Sequence, residues 1–101
     1  MEVKSIKDEN PILRRKGVIM AYLGTIRDVM TNITTQNDIY VNITSTTRIH
    51  VHKEELDKTW YTVACEVLKK GKYIEESNMS ACNIEDLKRI IGISYIHCNE
   101  I

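Results

Sequence analysis

Asp38-Ile39-Tyr40-Val41-Asn42-Ile43-Thr44-Ser45-Thr46-Thr47-Arg48-Ile49-His50-Val51-His52 is the stretch on which the fold turns. It holds two alternating runs. In Asp38–Thr44, Ile39, Val41 and Ile43 alternate with Tyr40, Asn42 and Thr44. In Arg48–His52, Ile49 and Val51 alternate with Arg48, His50 and His52. Period-two alternation of β-branched residues is the mark of a strand with one buried face. With only Ser45-Thr46-Thr47 between the runs, they predict an antiparallel hairpin. The register follows from the pattern, because a slip of one residue would set Ile49 and Val51 beside polar neighbours. Val41 should oppose Ile49, and Ile39 should oppose Val51. Tyr40 then opposes His50, Asn42 opposes Arg48 and Asp38 opposes His52. No glycine is present for a tight primed turn, so a looser loop through Thr44–Thr47 is expected.

Upstream, Ile19, Tyr22, Leu23, Ile26, Val29, Met30 and Ile33 recur at spacings of three and four, which predicts an amphipathic helix over 18–33. Asn10-Pro11 offers an N-cap followed by proline at the first helical position. Gly17 and the basic run Arg14-Arg15-Lys16 oppose so early a start; the alternative is an extended Ile12–Arg15 and a turn at Lys16-Gly17.

Downstream, Leu56, Trp60, Val63, Ala64, Val67 and Leu68 predict a second helix over Glu54–Lys70, with Gly71 as its C′ residue. On that reading Trp60 is core, and Tyr61 lies at the margin, free for a protein contact. Lys72–Cys82 is open between a short strand at Tyr73-Ile74 and an irregular turn. Asn83 should cap a helix over Ile84–Ile91 that Gly92 ends, with Ile93 packing back on Leu87 and a last strand at Ile93–Cys98. A weak strand at Glu2–Ile6 would complete the order β-α-β-β-α-(α)-β of a ferredoxin-like sandwich. Without it the expectation is a small α+β domain over residues 1–101, with helices on one face of an antiparallel sheet.

The chain has 101 residues, 43% hydrophobic and 28% charged, with 14 basic and 14 acidic side chains. That balance excludes intrinsic disorder and binding by bulk charge. The length suits one core. No long uncharged apolar window predicts a membrane helix, and Met1–Glu9 lacks the apolar segment of a signal peptide, so a cytoplasmic protein is expected. Cys65, Cys82 and Cys98 are odd in number and widely spaced, unlike a disulfide framework. The Asn-x-Ser/Thr triplets at Asn32, Asn42 and Asn78 carry no meaning without secretion. The wealth of isoleucine, lysine and asparagine suggests an AT-rich genome, that of a low-GC bacterium or of its phage or virus.

Two constellations could carry chemistry. His50-x-His52 on a strand points two imidazoles the same way, as a metal site requires. A third ligand would have to come from Asp38, His97 or Cys98; otherwise these are polar residues on a wet face. Tyr40, Arg48, His50 and His52 together form an open face with an aromatic ring, a guanidinium and two imidazoles. RNA-binding sheets stack bases on such faces, and Lys69, Lys70 and Lys72, or Arg14–Lys16, could add phosphate contacts. Against this, the chain has no RNP-type aromatic run and no positive excess.

A helix-turn-helix over Ile74–Met79 and Ile84–Ile91 would present Glu85 and Asp86 to phosphate, which repels it. Cys98 adjoins His97, but neighbours on a strand point to opposite faces; Cys65 reads as a buried small residue and Cys82 has no local base. No nucleophile elbow, P-loop, Rossmann fingerprint or metalloprotease motif occurs. The acidic pairs Glu54-Glu55 and Glu85-Asp86 suit helix starts.

The expectation is therefore a small intracellular, non-catalytic binding or regulatory module without a cofactor. It would act through protein–protein contacts, form a homodimer, and inhibit a host protein if encoded by a phage or mobile element. The alternative is nucleic-acid or nucleotide binding through Tyr40, Arg48, His50 and His52. Third is a metal-dependent activity at His50 and His52.

Overall fold

The computed structural model describes residues 16–101, with side chains from Leu23 onward. The strand expected at Glu2–Ile6, the helix start at Pro11 and the extended Ile12–Arg15 lie outside the described residues. The elements run α1 (Lys16–Asn32), β1 (Asp38–Asn42), β2 (Thr47–Glu55), β3 (Thr59–Lys69), β4 (Lys72–Ala81) and α2 (Ile84–Glu100). The strands form one antiparallel sheet in the order β1-β2-β3-β4, each joined to the next by a hairpin. This is an α+β domain with both helices on one face of the sheet. It is not ferredoxin-like among the described residues, because no helix crosses over between strands.

The first hairpin has the register that its alternation demands: Ile39 opposes Val51, Val41 opposes Ile49, and Tyr40 opposes His50. The Thr44–Thr47 loop closes with Ile43 N–H donating to Thr47 O at 2.9 Å and a hydroxyl pair, Thr44 to Thr47, at 2.6 Å. In α1, Val29 and Ile33 are buried, while Ile26 and Met30 pack against the core. Leu23 departs from the expected apolar arc and is 55% exposed.

The helix expected over Glu54–Lys70 is instead the end of β2, a short turn and the strand β3. Leu56, Trp60, Val63, Ala64 and Val67 do match a helical period. The same segment also alternates: Tyr61, Val63, Cys65 and Val67 are buried, with Ala64 the one buried residue out of phase. Thr59-Trp60-Tyr61-Thr62-Val63 is rich in residues that suit a pleated surface, and that preference prevails. As a result Tyr61 is buried and Trp60 is 37% exposed, the reverse of the helical expectation. Gly71 does take a positive φ of 79°, but beside Lys70 at φ 52°, in the two-residue turn between β3 and β4. Positive φ at both central residues is the type I′ requirement.

The ambiguous Lys72–Cys82 segment is almost wholly strand, which also removes the helix-turn-helix reading. Nor does Gly92 end a helix. The stripe Leu87, Ile90, Ile91, Ser94, Tyr95 and Cys98 continues through it, and Gly92 is itself buried. α2 therefore replaces the expected short helix and final strand, and Ile93 is 44% exposed instead of packing back on Leu87. Asn83 caps α2, accepting from Asp86 N–H at 2.8 Å.

The core lies between the sheet and the two helices. Ile49, Val51, Val63, Leu87, Ile90 and Ile91 are at most 1% exposed. Burial of each such side chain contributes about 1.5–3 kcal/mol. α2 packs across β2, β3 and β4, and α1 packs on α2 and β1. Among the described residues no helix covers the opposite face of the sheet.

Candidate functional site

The helix-free face is built by strand parity. On β2, Thr47, Ile49, Val51 and Lys53 point to the core, so Arg48, His50, His52 and Glu54 point away. Their partners across the sheet are Asn42, Tyr40 and Asp38 on β1 and Glu66, Ala64, Thr62 and Trp60 on β3. All four residues singled out from sequence, Tyr40, Arg48, His50 and His52, thus meet on one surface.

They form two interlocking systems. The first is a stack. The Tyr40 and His50 rings lie 4.3 Å apart and 8° from parallel. The Arg48 guanidinium sits 4.4 Å from the Tyr40 ring centre and 3.9 Å from that of Tyr73 on β4. Guanidinium over an aromatic face is attracted by the ring quadrupole. Arg48 Nε also donates to Glu66 Oε1 at 2.6 Å.

The second system is a line of alternating carboxylates and imidazoles. Glu66 Oε2 lies 3.6 Å from His50 Nδ1, and His50 Nε2 meets Asp38 Oδ1 at 2.8 Å. The same Asp38 oxygen meets His52 Nδ1 at 2.8 Å, and His52 Nε2 meets Glu54 Oε1 at 3.1 Å. Hydrogen bonds from His50 and then His52 hold the Asp38 carboxyl below its ordinary range. Hydrogen bonds to Glu54 and then Asp38 raise His52, favouring its charged form. The line ties β1, β2 and β3 together.

Glu54, Glu66 and Tyr73 escaped the sequence reading. Glu54 and Glu66 fell in the supposed helix, and Tyr73 fell in the segment left open. The alternation of β3 was the signal that could have placed Glu66 beside Arg48. Of the three candidate third metal ligands, only Asp38 reaches the histidines. His97 and Cys98 lie on α2, across the sheet from them. No group of three potential ligands among the described residues has an arrangement that could hold a metal ion.

The cysteines offer no activated thiol at this face. Burial raises Cys65 and Cys98, which belong to the core. Cys98 donates its thiol to Arg48 O at 3.7 Å, and its carbonyl accepts from the Thr47 hydroxyl at 3.2 Å.

No protein-family model matches this chain, and no curated protein or solved structure shows significant similarity to it.

Proposed function

We propose that this chain is a small, non-catalytic binding module that engages a partner protein through the helix-free face of its sheet. The observation that carries the reading is the Tyr73–Arg48–Tyr40–His50 stack, held by Glu66 and Asp38. Tyrosine, tryptophan and arginine dominate the energetics of protein interfaces. Here Tyr40 and Arg48 stand on paired strands and are restrained by stacking and by the Glu66 carboxylate, which lowers the side-chain entropy lost on binding. Tyr40 is 53% exposed and Trp60 37%, which leaves apolar surface for a partner to bury.

Charge favours a protein over a nucleic acid. Arg48, His50 and His52 each already face a carboxylate, so no excess positive field is left for phosphate. The face is polar along its length instead. Lys69, Lys70 and Lys72 gather at the β3–β4 turn, and Glu54, Glu55 and Asp57 at the β2–β3 turn. A partner with an acidic patch opposite the lysine end would dock in one orientation.

A photo-crosslinking residue at Tyr40 tests this in the source cell, with one at Lys88 on α2 as control. A discrete adduct is expected at Tyr40 alone, lost when Arg48→Ala removes the stack. Equal labelling from both positions would overturn the reading. So would retention on single-stranded RNA at low salt that Arg48→Ala abolishes, an outcome that favours nucleic-acid binding.

A further inference from the structure

We infer that a second copy of this chain pairs along β4, edge to edge about a two-fold axis, to give one continuous eight-stranded sheet. Among the described residues β4 has a neighbour on one side only, β3, and no described strand pairs with its other edge. At ten residues it is twice the length of β1, the other edge strand. Beside it lies a groove of about 210 Å³ between β4 and α2, lined by Ser77, Met79, Ile93, Ser94 and His97. Ile74, on the same strand, is 51% exposed.

The identity of the occupant follows from the register that β4 can form with itself. Pairing with β3 fixes the face of each residue. Ile74, Ser77, Met79 and Ala81 oppose Val67, Cys65, Val63 and Tyr61, on the helix-covered side. Tyr73, Glu75, Asn78 and Ser80 oppose Leu68, Glu66, Ala64 and Thr62, on the open side. An antiparallel two-fold axis between Glu76 and Ser77 matches the faces of every pair outside the central Glu76–Ser77 pair. It sets Ile74 against Met79 of the second copy, Glu75 against Asn78 and Tyr73 against Ser80.

Neighbouring registers fail. An axis through Glu76 opposes that carboxylate to its own copy, and one between Glu75 and Glu76 opposes two carboxylates. An axis through Ser77 sets Glu75 against Met79, and one beyond it sets covered Ser77 against open Asn78. Like charges and mismatched faces are both destabilising across strands. The irregularity in β3–β4 pairing at Cys65/Glu66, which makes Glu76 the extra residue, is thus part of the specificity. Bulges and edge charges suppress promiscuous edge pairing, and here they leave one register that pairs the strand over its full length.

The second copy also completes the groove. Its Ile74 comes to lie beside Met79, at the mouth that Ile93 borders. The contact strip is about 33 Å long and about 10 Å deep on the strand alone. The flank of α2 widens it toward the roughly 800 Å² per partner of a stable interface. The symmetric contact is isologous, as expected for a dimer.

Sedimentation equilibrium of the full chain across the micromolar range tests this. A particle of twice the chain mass is expected. Ile74→Lys, at an exposed position, should keep the circular dichroism spectrum and weaken association by more than about tenfold. Ile74→Cys with Met79→Cys, in a Cys82→Ser background, should give an interchain disulfide on mild oxidation, while Ile74→Cys alone does not. Tyr40→Ala should leave the dimer intact, which separates this contact from the docking face. A monomer throughout, or a dimer indifferent to Ile74→Lys without the crosslink, would overturn the inference.

Discussion

Arg48 and Glu66 stand directly opposite one another on β2 and β3, and their side chains close the pair at 2.6 Å. Glu66 is only 13% exposed, so the pair is partly desolvated and each partner depends on the other. Arg48→Ala should destabilise the fold by about 1–3 kcal/mol, since it leaves a mostly buried carboxylate without its donor. Arg48→Met with Glu66→Gln should recover most of that loss, because no uncompensated charge remains. Urea unfolding of the single and double variants measures the difference. Arg48→Lys should behave more like the alanine variant than a conservative change, as an ammonium cannot stack between two rings.

The carboxylate–imidazole line makes stability depend on pH in two windows. His52 is raised above its ordinary 6.5, so its contribution is complete below that value and is lost as pH rises through the raised value. Asp38 is lowered below its ordinary 3.8, so its contribution is present above that value and is lost as pH falls through the lowered one. Attachment of β1 should therefore be tightest between about pH 4 and 6.5. Amide exchange at Ile39 and Val41 across that range reads it directly. In Asp38→Asn the His52 resonances should titrate closer to their ordinary midpoint.

The β3–β4 turn should respond to substitution in opposite directions at its two residues. Gly71 sits at φ 79°, and Gly71→Ala should cost about 1–2 kcal/mol. Lys70 sits at φ 52°, so Lys70→Asn creates the preferred Asn-Gly pair and should raise stability by several tenths of a kcal/mol. Thermal midpoints of the two variants decide the point.

Ile91 is fully buried where α2 meets the sheet. Ile91→Ala should destabilise by about 2–5 kcal/mol, whereas Ile93→Ala, on the same helix but 44% exposed, should cost well under half as much. Had Gly92 ended the helix as its residue type suggests, Ile93 would be the more sensitive position. Paired denaturation curves make the comparison.

The register of the first hairpin was legible to the residue because its two faces differ sharply in chemistry. Ile39, Val41, Ile49 and Val51 can gather in only one register, and that register delivers Tyr40, Arg48, His50, His52 and Asp38 to one surface. β3 was not legible for the opposite reason. It is a central strand whose outer face carries Trp60, Ala64 and Leu68, so apolar residues fall on both sides and imitate a helical arc. Gly71 and Gly92 misled in related ways. Glycine signals a backbone requirement without saying whether that requirement is a helix stop, a hairpin turn or close packing. The site was lost where those errors fell: Glu66 and Tyr73 complete the stack, and both lie on strands that the sequence pattern disguised.

The uninterrupted meander has a consequence for how the molecule is assembled. Every strand pairs with its neighbour in sequence, so the sheet forms through short loop closures, which are fast. The cover over β2, β3 and β4 comes later, because α2 follows all four strands in the chain. During synthesis the apolar face formed by Ile49, Val51 and Val63 is therefore complete before the helix that shields it exists. In that interval the nascent sheet is vulnerable to capture by other apolar surfaces, and docking of Leu87, Ile91 and Cys98 ends the exposure.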